Sequence, residues 1–294
     1  MLSSTNKRPL EQVAVIDAFL AYRDALRDSL LTRAEVIGLV FVGSAADVSR
    51  ADRWSDHDFF VITKPGYAQL LRNDLSWLPE YQNIAMATPE TEHGLKVVYQ
   101  NGHVLEFAVF NDEELELAGG NAYEVFIDRE AGNLGTIAER VAKLVERSKP
   151  SAFNLNREFE LFLEHLIIGV GRARRGEILI ARQQIGSYAL NHVLGLIRHC
   201  VAPLEGTLTR EDNLSRYRRF EQQYPEIGAR IEILLRAEVG DCAKGLLELV
   251  LTCCAAFIDD SKLAQVSVVR STLEWSCPGI SAPAPTSRKP PLAT

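Results

Sequence analysis

The residues best placed by type and spacing to do chemistry are Gly43-Ser44, Asp56-His57-Asp58 and Glu106. Side chains two apart on an extended strand point to the same face. Asp56 and Asp58, at the head of the apolar run DFFVIT (58–63), therefore project together, and His57 turns the other way into a packing role. Two neighbouring carboxylates repel each other unless a cation stands between them. Hard oxygen donors of this kind suit magnesium, which commonly takes one or two carboxylates plus substrate phosphates. Glu106 interrupts a second apolar run, HVLEFAVF (103–110), where an unpartnered charge is costly. If that run lies beside 58–63, all three carboxylates meet at one site.

Gly43-Ser44 closes the apolar run VIGLVFV (36–42). Glycine permits a tight turn and close backbone approach. The serine hydroxyl and exposed N–H groups can hold a phosphate tail. The expected chemistry is a metal-assisted transfer from a nucleoside triphosphate. Asp56, Asp58 and Glu106 hold one or two Mg2+ ions, and Ser44 fixes the β- or γ-phosphate. Glu106 also takes the proton of an attacking hydroxyl as general base. An isolated Asp-x-Asp is usually a solvated turn, and Gly-Ser alone is equally weak. The ordered set carries the reading: strand, Gly-Ser, Asp-x-Asp opening a strand, then a lone Glu inside another.

These residues need a sheet. Helical spacing of Val13, Ile16, Phe19, Leu20, Leu26 and Leu30 predicts a helix over 11–32. Strands are expected at 36–42, 58–63, 95–100, 103–110 and 123–128, with a helix at 133–147. Asn101-Gly102 between two β-rich runs signals a hairpin. Strand signals stop near Lys149-Pro150-Ser151. Amphipathic stretches follow at 156–175, 177–201, 210–222, 226–239 and 241–262. The expected class is α+β, with a mixed sheet and flanking helices in the first half and an all-α bundle in the second. The expected domains are 1–150 (catalytic) and 151–265 (helical), followed by a flexible tail over 266–294.

The chain has 294 residues and a net charge of −7, which disfavours a general nucleic-acid binder. Five cysteines without a C-x-x-C read as reduced core residues. The N-terminus lacks an apolar stretch of signal-peptide length, and no run reaches the about 18 apolar residues of a membrane span. No membrane association and a cytoplasmic location are the expectations.

Taken together, Gly43-Ser44, Asp56-x-Asp58 and the strand-borne Glu106 resemble the polymerase β-type nucleotidyltransferase superfamily. The layout is similar to lincosamide nucleotidyltransferases and, more distantly, aminoglycoside 6-adenylyltransferases. The resemblance implies transfer of a nucleoside monophosphate, AMP from ATP or another NTP, to a hydroxyl of an antibiotic-like small molecule. It carries the general-base role onto Glu106. It also marks 172–198 as a segment common in the helical domain of that family, with Arg172 and Arg175 as the expected nucleotide contacts and Arg174 or Arg182 as further candidates. Relatives often form homodimers, so a homodimer is an expected assembly. Two alternatives stand beside this reading: an antitoxin-like protein adenylyltransferase and a catalytically silent nucleotide-binding scaffold. Tyr99, Phe107, Phe110 and Tyr123 are either acceptor-pocket or core aromatics, with core the commoner role.

Overall fold

The computed structural model describes residues 10–48, 51–119, 122–129, 135–147, 152–207 and 215–274, with side chains from Ile16 onward. Two units divide the chain, Met1–Ser151 and Ala152–Thr294.

The first unit is built on a six-stranded sheet. Its elements are α1 (Leu10–Leu31), β1 (Val36–Val42), α2 (Gly43–Ala46), β2 (His57–Thr63), α3 (Ala68–Asn73), β3 (Ile84–Pro89), β4 (Gly94–Tyr99), β5 (Val104–Asn111), β6 (Tyr123–Asp128) and α4 (Ile137–Arg147). The strand order is β3-β4-β5-β2-β1-β6. Among the described residues, β2 and β5 pair in parallel and the remaining ladders are antiparallel. β1 is apolar on both sides because both of its faces are covered. Leu39 and Phe41 join Phe59, Val61, Leu105 and Phe107 in the core against α1. Ile37 and Val40 join Ile62 and Phe110 against Ile137, Val141 and Leu144 of α4. The expected mixed sheet with flanking helices is thus present.

The Asn101-Gly102 hairpin forms between β4 and β5, with Gly102 at φ +84°. Its loop closes through Tyr99 N–H to His103 O, at 2.9 Å. β3 and α3 carry no signal in the sequence reading. β3 is an edge strand exposed along nearly its whole length, so no burial alternation marks it, and Pro89 is tolerated at its end. The helix expected over 133–147 begins at Ile137. Asp128 accepts from the N–H groups of Ile137 (2.9 Å) and Ala138 (3.2 Å), which fixes that start. Residues 130–134 lie outside the described set. Tyr99, Phe107 and Phe110 are buried, which settles them as core.

The second unit is helical: α5 (Leu155–Arg174), α6 (Ile178–Gln183), α7 (Leu190–Cys200), α8 (Phe220–Gln223), α9 (Pro225–Leu235), α10 (Val239–Cys253) and α11 (Asp260–Glu274). A π-helical segment, Gln184–Ala189, joins α6 to α7, so the expected helix over 177–201 is continuous but changes pitch. The helix expected over 210–222 is corrected. Residues 216–219 form turns, only Phe220–Gln223 is helical, and 208–214 lie outside the described residues.

The helix expected over 241–262 is also corrected, because α10 stops at Cys253. α11 is started afresh by Asp259, whose carboxylate accepts from Lys262 N–H at 3.0 Å. A tail starting at 266 is a third correction. Residues 266–274 are the second half of α11, with Val266, Val269 and Leu273 buried in the unit's core. The rest of the expected tail, 275–294, lies outside the described residues.

Among the described residues, Cys200, Cys242, Cys253 and Cys254 are free thiols. No described helix is long and apolar enough to cross a membrane.

Candidate active site

One lateral row of residues crosses the whole sheet and holds the site. From β6 outward it reads Tyr123, Val42, Asp58, Glu106, Lys96 and Thr88. Asp58 and Glu106 are direct register partners in the parallel β2–β5 ladder. Paired strands lie about 4.8 Å apart, so the two carboxylates are necessarily close. Asp56, two residues before Asp58, joins them. One ligand atom from each of Asp56, Asp58 and Glu106 lies within 4.8 Å of the others, and all three side chains are half-buried. The strand adjacency left open by the sequence is therefore present, and it brings the three expected carboxylates together.

Gly43 ends β1 immediately after Val42, the register partner of Asp58. Its φ is +60°, a left-handed conformation that only glycine adopts cheaply. A Cβ there would stand 3.0 Å from Asp58 Oδ2. The glycine therefore serves both the turn and the close approach of backbone to carboxylate. Gly43 N–H donates to Ala122 O at 3.2 Å, tying the turn to the segment before β6. Ser44 follows in the short α2, half-buried, and Asp47 ends that turn by donating its N–H to Gly43 O at 3.2 Å.

His57 faces away from the carboxylates and is buried. Its ring stacks on Phe19 with centroids 3.8 Å apart. Its Nε2 lies 3.0 Å from Phe19 O, and its Nδ1 lies 2.7 Å from His103 Nε2. A carbonyl only accepts, so Nε2 of His57 carries the hydrogen and Nδ1 accepts from His103. Burial, with His103 beside it, pushes the His57 pKa down to about 3, which keeps the ring neutral. This neutral clamp fixes the strand start between the two aspartates to α1.

Lys96 is the site residue that the sequence reading missed. Its Nζ lies 3.1 Å from Glu106 Oε1 and 2.9 Å from Glu90 Oε1. The Glu90 carboxylate, and then that of Glu106, hold the ammonium above the usual lysine range. A signal existed: Lys96 and Glu106 stand at equal distances either side of Asn101, so the hairpin register makes them partners.

Arg172 and Arg175 belong to the second unit, at the end of α5 and at its C-cap. Glu177 pairs with both, at 2.7 Å from Arg172 Nη1 and 3.4 Å from Arg175 Nε.

The donor set fits a hard divalent cation: three carboxylates converge, and a bare glycine leaves space beside one of them. No protein-family description matches the chain, and no curated protein matches it. Among solved structures it is similar to an aminoglycoside 6-adenyltransferase from Bacillus subtilis. That match has 12% identity, covers 86% of this chain and 97% of the other, and has a TM-score of 0.37. It is also similar to a nucleotidyltransferase-like protein from Exiguobacterium sibiricum, at 13% identity, 87% and 89% coverage and a TM-score of 0.32. A third similarity is to an E. coli MS115-1 CdnC:HORMA-deltaN complex, at 13% identity, 90% and 91% coverage and a TM-score of 0.32.

Proposed function

We propose that this chain is a metal-dependent nucleotidyltransferase that moves AMP from ATP to a hydroxyl of a small molecule and releases pyrophosphate. Lincosamide or aminoglycoside antibiotics are the concrete acceptor classes. The observation that carries the reading is the convergence of Asp56, Asp58 and Glu106 within 4.8 Å, beside a left-handed Gly43 that leads into Ser44. Asp56, Asp58 and Glu106 would hold Mg2+, which when bound supplies neutralisation of triphosphate charge. Gly43 keeps backbone and carboxylate close, and Ser44 offers its hydroxyl and N–H to the phosphate tail. Glu106 accepts the proton of the attacking hydroxyl while the bond between the α-phosphorus and the pyrophosphate oxygen breaks.

The direct experiment is incubation with Mg2+, ATP and a panel of hydroxyl-bearing acceptors, with pyrophosphate release as the readout. Pyrophosphate that depends on an acceptor is the expected result. Absence of turnover with every acceptor, together with absence of ATP binding, would overturn the proposal.

A further inference from the structure

Glu106 has two claims on its carboxylate. It is the third member of the acidic group, and it also accepts a contact from Lys96 at 3.1 Å. The lysine is not a chance surface neighbour. It is the register partner of Glu106 across the antiparallel β4–β5 ladder, on the same side of the sheet. A second carboxylate, Glu90 beyond the end of β3, holds the same ammonium at 2.9 Å. Backbone bonds at the β3–β4 turn place Glu90, whose N–H donates to Gly94 O at 2.9 Å. The result is one ammonium, Lys96, held between Glu90 and Glu106, with Glu106 standing next to Asp58 and Asp56 on the neighbouring strand.

We propose that Lys96 is a built-in counter-ion that positions Glu106 and competes with the divalent cation for it. The inference rests on the metal-site reading above. With no divalent cation bound, three carboxylates this close repel one another. An ammonium on the outermost of them lowers that repulsion and holds Glu106 in its rotamer. Glu106 would have to weaken its contact with Lys96 to serve as a ligand, so metal affinity would carry the cost of that pair. Lys96 acts through Glu106 and is a positioning residue.

The test is a Mn2+ titration of the full-length chain, with free Mn2+ read by electron paramagnetic resonance. The variants are Lys96→Ala, Lys96→Arg, Glu106→Gln and the Lys96→Ala/Glu106→Gln pair. Lys96→Ala is expected to bind Mn2+ about two- to fivefold more tightly, the range of a half-exposed ion pair. Lys96→Arg keeps the charge and should restore the original affinity. In the Glu106→Gln background, where Asp56 and Asp58 still offer a measurable site, the lysine substitution should change nothing. A merely structural lysine would leave Mn2+ affinity unmoved, and a general field effect would persist in the Gln background; either result overturns the inference. Thermal melts of each variant establish that the fold is kept. No Mn2+ binding by the unmodified chain would remove the metal-site reading and this inference with it. Equal binding by the unmodified chain and Lys96→Ala would remove this inference alone.

Discussion

Asp58 is where the constraints on single residues meet. It pairs in register with Val42 on one side and Glu106 on the other, and the backbone of Gly43 leaves room for its Oδ2. Asp56→Asn and Asp58→Asn remove a charge with almost no change in shape. Each is expected to lower turnover by about a thousandfold or more, a transition-state cost of about 4 kcal/mol, while the melting temperature stays close to the original. Pyrophosphate release and a thermal melt on the same samples check this, and full activity in either variant would remove the metal-site argument. Gly43→Ala acts by another route. The substitution forces a Cβ into a left-handed residue, at about 1–2 kcal/mol, and sets it 3.0 Å from a carboxylate oxygen. Lower stability and a weakened Mn2+ affinity should appear together; tight Mn2+ binding in the alanine variant would count against the close-approach role.

At the scale of elements, five of the six described strands were legible, β3 being the exception. β1, β2 and β5 are dense in β-branched and aromatic residues, and the Asn101-Gly102 turn fixes the register of β4 on β5. β3 was not legible because an exposed edge strand has no apolar face to repeat. The break between α10 and α11 was missed because both flanks are amphipathic; the signal was the capping Asp259. α11 contributes Val266, Val269 and Leu273 to the helical core. Truncation after residue 265 removes three buried apolar side chains worth about 1.5–3 kcal/mol each, and should lower the stability of the helical unit by several kcal/mol. Chemical denaturation of the truncated chain measures this, and an unchanged midpoint would mean that the end of α11 does not hold the unit.

At the scale of the whole molecule, each unit has its own hydrophobic core and a buried polar device that fixes it. In the first unit Arg140 of α4 pairs with Asp112 after β5. In the second, Glu158 accepts from His192 Nδ1 at 2.7 Å and takes a two-pronged contact from Arg216, at 2.7 and 3.2 Å. Burial raises the Glu158 pKa, but Arg216 and His192 outweigh it, so the carboxyl titrates below its ordinary range. A carboxyl with a lowered folded-state pKa contributes stability that is present above the unfolded value and lost as pH falls through the folded one. Glu158→Gln should therefore cost about 1–3 kcal/mol near neutral pH. The gap between the two proteins should narrow as the pH falls below the usual carboxylate range. Melts at neutral and acidic pH read this directly, and a gap that stays constant would mean that the charge of Glu158 contributes little.

The sequence by itself determined the local facts. The pairing of Asp56 with Asp58, the turn at Gly43-Ser44, the burial of His57 and the change from strands to helices near residue 150 all follow from short-range periodicity and turn chemistry. Only the tertiary structure decided what those pieces meet. Glu106 reaches the aspartates because β5 pairs in parallel with β2, a contact between runs almost fifty residues apart that no local pattern encodes. The same is true of Asp58 against Gly43 and of the triple contact on Glu158. Local sequence sets which face a side chain takes, because the period is fixed by backbone geometry. Strand order is set by the packing of the whole core, so it is the fold that turns three separate carboxylates into one site.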